Sequence, residues 1–144
     1  MSKKKLYIYF TLLLALSSCE IFVIKAPPKE QKQKVELSQR APLSVVYLFK
    51  AELDSNNVFG AMNLIASPDK TKYLAEQRYE RISDLSRLRR IMNNKQITSY
   101  KLENISGDIS IVHLELNWIE NINFVAAKID SNWYVTDFKY PANR

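Results

Sequence analysis

The chain is short of the residues that most chemistry requires. Its 144 residues include one Cys, one His and two Gly. A single Cys makes no internal disulfide and no Cys-rich zinc site. A single His supplies neither a His-rich cage nor a two-His zinc helix. Two Gly leave no phosphate-cradling loop, since the P-loop and the dinucleotide fingerprint each need several close together. The composition therefore calls for no metal and no nucleotide cofactor. What is present is a globular balance, 47% hydrophobic and 25% charged, enough for one domain of ordinary size and too little for two separate cores. The formal net charge of +6 raises nucleic acid and membrane as partners.

The N-terminus has the layout of an export signal. Lys3, Lys4 and Lys5 precede an uncharged, largely apolar run over residues 6–16, followed by Ser17, Ser18 and Cys19. Eleven residues span about 16 Å as a helix, against roughly 30 Å of hydrocarbon. Leu16-Ser17-Ser18-Cys19 resembles the bacterial lipobox, in which an aliphatic and two small residues precede a lipidated Cys. The resemblance implies cleavage after Ser18 and a diacylglycerol on Cys19. The competing arrangement is an uncleaved anchor, because Ile21, Phe22, Val23 and Ile24 resume the apolar run. Glu20 opposes it, at about 2.5–3.5 kcal/mol near a bilayer centre. Either way the rest of the chain stands outside the cytoplasmic membrane, and the expected location is a bacterial envelope, with the outer membrane favoured over the inner.

The charge then loses its first meaning. Without Lys3 to Lys5 the mature chain carries 18 basic against 15 acidic residues, or +3. Residues 20–40 hold five against three, and residues 41–144 hold 13 against 12, or +1. The excess is address and tether, so nucleic acid is not an expected partner. Residues 25–40 are rich in Lys, Gln, Glu and Pro and are expected to form a flexible tether.

From Ala41 the pattern is periodic. Pro42 suits a first helical turn, and Val45, Val46, Phe49 and Leu53 recur at helical spacing. Asn56 or Asn57 caps a short second helix carrying Val58, Phe59, Met62 and Ile65. Residues 70–92 form a third helical stretch. Its apolar residues Tyr79, Ile82, Leu85, Leu88 and Ile91 step by three, which predicts a kink or junction near residues 83–86. The period then changes to two. Strands are expected over residues 97–105, 109–118, 122–129 and 133–140, joined by short turns into an antiparallel meander. The expected fold is α+β: N-terminal helices packed on a curved four-stranded antiparallel sheet.

This order resembles the nuclear transport factor 2-like, or cystatin-like, cone superfamily. The helix containing Val45-Val46-Tyr47-Leu48-Phe49, the polar break Asp54-Ser55-Asn56-Asn57 and the second helix at Ala61-Met62-Asn63-Leu64-Ile65 carry the likeness. So does the closing hairpin, Ile129-Asp130-Ser131-Asn132-Trp133-Tyr134-Val135. The likeness covers about residues 42–140. It implies a cone interior that enzymes of the superfamily use as a pocket, with Asp, His or Tyr as acid and base.

Within that frame, His113 shares a strand face with Glu115 and Asn117, opposite Leu114 and Leu116, and is expected at the surface. Asp137 alternates with Phe138, and Asp137 is expected to point outward. Trp118, Phe124, Trp133, Tyr134 and Phe138 are the candidate pocket lining, or else core. Arg78, Arg81, Arg87, Arg89 and Arg90 form either a solvated helix face or a patch for anionic headgroups. The expected role is a non-enzymatic module binding an envelope protein or a small apolar ligand. The alternatives are an isomerase- or dehydratase-type enzyme, and a structural spacer or subunit of an envelope complex.

Lipidation gives the first testable outcome. Cys19→Ala is expected to abolish metabolic labelling by a fatty-acid analogue, and persistent labelling would rule the lipid out.

Overall fold

The computed structural model of the chain describes residues 35–140. Cys19, the apolar run before it and most of the expected tether lie outside them. Among the described residues no helix is long and apolar enough to cross a membrane.

Four helices precede four strands: α1 (Pro42–Asp54), α2 (Val58–Met62), α3 (Ala75–Glu80), α4 (Ile82–Met92), β1 (Ile97–Ser106), β2 (Ile109–Leu116), β3 (Glu120–Ile129) and β4 (Asn132–Lys139). The strands form one open, curved antiparallel sheet in the order β1-β2-β3-β4. The expected α+β meander is therefore the observed fold.

α1 starts where proline is cheapest, with Pro42 in the first turn. Its stripe of Val45, Val46, Phe49 and Leu53 is fully buried. The stripe meets Val112, Leu114 and Leu116 of β2 and Ile122, Phe124 and Ala126 of β3 in one core. Phe49 stands edge-on to Phe124, with centroids 6.1 Å apart. Lys50 is buried on the same helix and reaches Asp54 one turn on at 2.5 Å, which pairs its charge. Asn57 caps α2 by accepting from the Gly60 N–H at 2.9 Å.

Two expectations shift here. The second helix ends at Met62, and Ile65 belongs to an extended segment that forms a parallel bridge to Val135 of β4. The third helical stretch begins at Ala75 and breaks at Arg81, not at residues 83–86. The drift in the three-step pattern is real, but its core residues are Leu85, Leu88 and Met92, while Tyr79 is exposed. Putting the junction at Arg81 frees Tyr79 from the stripe.

The two sheet edges are treated differently. The outer edge of β4 is occupied: Trp133 N–H donates to the Gln39 carbonyl at 2.8 Å, Val135 N–H to that of Leu64 at 2.9 Å, and Ala66 N–H to that of Val135 at 3.0 Å. The Gln39 side chain also donates to the Trp133 carbonyl at 3.1 Å. So the end of the expected tether already belongs to the fold. The outer edge of β1 has no partner among the described residues.

Scarce glycine shows in the turns. Neither Gly has a positive φ, and the left-handed positions fall to Asn56, Lys70, Asn94, Asn117, Trp118 and Asp130. Asn and Asp tolerate this conformation through local hydrogen bonds, whereas Lys has no such compensation. Lys70→Gly is expected to raise stability by up to about 1 kcal/mol, the left-handed strain removed less the extra entropy of an unfolded glycine. Asn117→Gly gains nothing comparable, because the Asn117 side chain accepts from the Gln96 N–H at 2.9 Å. Chemical denaturation of the two variants checks the contrast.

Candidate functional site

The interior between helices and sheet is filled. Phe49, Leu53, Leu88, Met92 and Phe124 are all fully buried there. Space for a ligand lies at the margin, where α4, the extended segment after Met62 and the second half of β4 enclose a cavity of about 330 Å³. Its walls include Ile65, Ala66, Leu85, Val135, Phe138 and Tyr140, with Tyr73, Arg81, Asp84, Arg87 and Asp137 as polar members.

Local structure explains why these residues converge. Leu85 lies on the buried face of α4, and Arg81, Asp84 and Arg87 flank it at helical spacing. Ile65 and Ala66 are drawn in by their pairing to Val135. Beyond Val135 the β3–β4 register shifts by one residue, since Ala126 faces Val135 while Val125 faces Asp137. Thr136 is the extra residue of this bulge, and its hydroxyl donates to the Val125 carbonyl at 3.3 Å. Phe138 then sits opposite Phe124 on the core side, and Asp137 opposite Val125 on the outer side. Both border the cavity because β4 is the margin of the sheet.

The charges in the cavity are largely committed. Arg81 reaches Asp84 at 3.4 Å and lies over the Tyr73 ring, 5.4 Å from its centroid. Asp137 accepts from the Phe138 N–H at 2.9 Å and faces Lys139 at 3.6 Å. Arg87 has no carboxylate partner among the described residues, and its charge acts on the Tyr140 phenol. Burial pushes that phenol above its ordinary value, and Arg87 pulls the other way. Tyr140 is thus a neutral hydrogen-bonding group near neutral pH, not a base.

The residues singled out in the sequence fall in several places. Phe138 lines the cavity. Phe124 is at the centre of the core, and Trp133 is buried against it. Tyr134 is buried beneath Lys72, whose ammonium lies 5.5 Å from the ring centroid. Trp118 lies outside both core and cavity: β2 stops at Leu116, and Trp118 is 75% exposed in the turn to β3 beside Ile119. The physical reason is the left-handed backbone of Asn117 and Trp118, which ends the alternation two residues early.

His113 lies on the outer face. Its Nδ1 is 2.8 Å from Asn123 Oδ1, and its Nε2 is 3.3 Å from Glu103. Glu115, its neighbour along the strand, instead accepts from Ser99 at 2.7 Å. No group of three or more His, Cys, Asp or Glu among the described residues is placed to hold a metal ion. Arg81 and Arg87 were legible only as part of an Arg-rich helix face, and Tyr73 and Asp84 carried no signal toward this site. No spacing in the sequence brings them to β4, because the link runs through the Ile65–Val135 bridge.

Tyr47 and Tyr140 provide a pH test. Burial raises both phenols, and Tyr100 adds to the shift at Tyr47. An acid raised in the fold stabilises it below its unfolded value, about pH 10, and the stabilisation is lost as pH rises through the folded value. Phenolate absorbance is expected to show Tyr47 and Tyr140 ionising above the ordinary phenol range. Tyr140→Phe should remove one late transition and slow alkaline unfolding.

Comparison with protein-family models, with curated proteins and with solved structures finds no match for this chain.

Proposed function

We propose that the chain is a lipid-anchored bacterial envelope protein whose domain, of nuclear transport factor 2-like type, is a non-enzymatic binding module. The lipobox-like Leu16-Ser17-Ser18-Cys19 supports the anchor. The observation that carries the binding role is the marginal cavity, whose walls mix apolar and charged side chains and include one cationic group, Arg87, lacking a carboxylate partner among the described residues. Such a site suits a small ligand with an apolar body and one anionic group.

Catalysis is the weaker reading on three counts. Asp84 and Asp137 are each engaged by a basic side chain. Tyr140 is held away from the basic form. His113 is on the outer face, hydrogen-bonded to Asn123 and Glu103 and apart from the marginal cavity. General acid–base work needs a group poised near neutrality and within reach of a bound substrate.

A naphthalenesulfonate dye has the required apolar body and single anionic group. Saturable fluorescence enhancement is expected with the full chain. Arg87→Glu should weaken binding about tenfold, the size of one lost charge-assisted contact at a partly exposed site. Tyr140→Ala should weaken it as well. Dye binding that ignores both substitutions would overturn the assignment of the cavity.

A further inference from the structure

The β1 edge of the sheet, which has no partner among the described residues, makes a separate case. α1 packs over β2, β3 and β4, and β1 lies beyond it. Tyr100 and Leu102 face the helix side of the sheet, opposite Leu114 and Val112. They remain 41% and 39% exposed. On the other face lie Lys101 and Glu103. Register shifts mark both ends of β1, and residues 99–104 between them pair with β2 without interruption. An edge of this kind offers a row of free N–H and C=O groups to another strand.

We propose that the partner is a second copy of this chain, joined β1 to β1 across a two-fold axis normal to the sheet. An axis in that direction keeps each face of the sheet continuous, so outer-face residues meet only outer-face residues. Antiparallel registers must then move in steps that preserve the faces, and four centre inside this segment; the one centred on Tyr100 sets Lys101 against Ser99 and brings no opposite charges together. Centred on Lys101, the axis sets Lys101 against its own copy. Centred on Glu103, it sets Glu103 against its own copy. Like charges directly opposite are destabilising in either case.

Centred on Leu102, no like charges are opposed and the opposite charges meet. Leu102 meets Leu102 of the second copy, and Tyr100 meets Asn104. Lys101 meets Glu103 twice, once on each side of the axis. Opposite-charge pairs across strands are stabilising. The same Lys that commonly guards a free edge against indiscriminate pairing here selects one register and one partner. Tyr47 of α1 stands edge-on to Tyr100 at 6.3 Å, so the helix side of the junction is already rimmed by an aromatic pair. The contact is short and falls at the small end of specific interfaces, so the dimer is concentration-dependent.

The test uses the full chain in density-matched detergent, followed by sedimentation equilibrium. A monomer–dimer equilibrium is expected. Lys101→Glu and Glu103→Lys are each expected to weaken it about tenfold, two attractive pairs being exchanged for two repulsive ones. The double swap Lys101→Glu with Glu103→Lys restores the opposition and should recover the parent affinity.

Leu102→Cys supplies a readout that does not depend on the charge variants. Directly opposed strand residues stand about 4.5–5.5 Å apart, within disulfide reach, so mild oxidation should crosslink the dimer. Ser99→Cys should not crosslink, since its two copies would stand about 20 Å apart at roughly 3.3 Å per residue. The parent chain with its single Cys19 gives the background. A chain that stays monomeric and gives no Leu102→Cys crosslink would overturn the proposal. A dimer that ignores both charge reversals would overturn it too, placing the contact elsewhere.

Discussion

The fold hangs on one contact: the stripe of α1 seated on the middle of the sheet. Val45, Val46, Phe49 and Leu53 have no solvent exposure, and neither do Val112, Ile122 and Phe124 beneath them. Burying side chains of this size is worth about 1.5–3 kcal/mol each, before the entropy of ordering them is deducted. Because Phe49 meets Phe124 over β3, the centre of the sheet has no room for a ligand, and open space is displaced to the rim. The position of the cavity is thus a consequence of the core.

The same contact divides the sheet into unequal halves. α1 and the extended segment after Met62 attend to the β4 side, where Leu64 and Ala66 extend the ladder past Val135. β1 is left with the highest exposure of any strand. Among the described residues the sheet is therefore finished on one margin and open on the other. Its polar outer face is laced across strands, with His113 between Glu103 and Asn123 and Glu115 held by Ser99. These lateral bonds fix side chains that have no helix above them.

Most of the architecture was legible because it rests on local rules. Period two from residue 97 onward, short polar turns and the Pro42 start gave the element order and the meander. Where alternation was the only guide, it failed at backbone irregularities. Asn117 and Trp118 adopt positive φ, so Trp118 leaves the strand whose pattern it continues. Thr136 adds a residue to β4, so Asp137 and Phe138 both border one cavity while facing opposite sides. The charged side of α4 read as solvated surface or a headgroup patch, and Arg81 and Arg87 acquire a wall opposite only through a bridge between residues 65 and 135. Pairings seventy residues apart leave no trace in composition or period.

The Gln39–Trp133 junction has a mechanical meaning. The chain enters the domain there, at the first residues of β4, through one backbone bond of 2.8 Å and one side-chain bond of 3.1 Å. A pull arriving from the N-terminal side loads these two bonds first. The β3–β4 ladder lies behind them, and α1 begins three residues further on. Two bonds yield at far lower force than a ladder. Once they part, only the three residues before α1 are released, and the load then falls on α1 and the core.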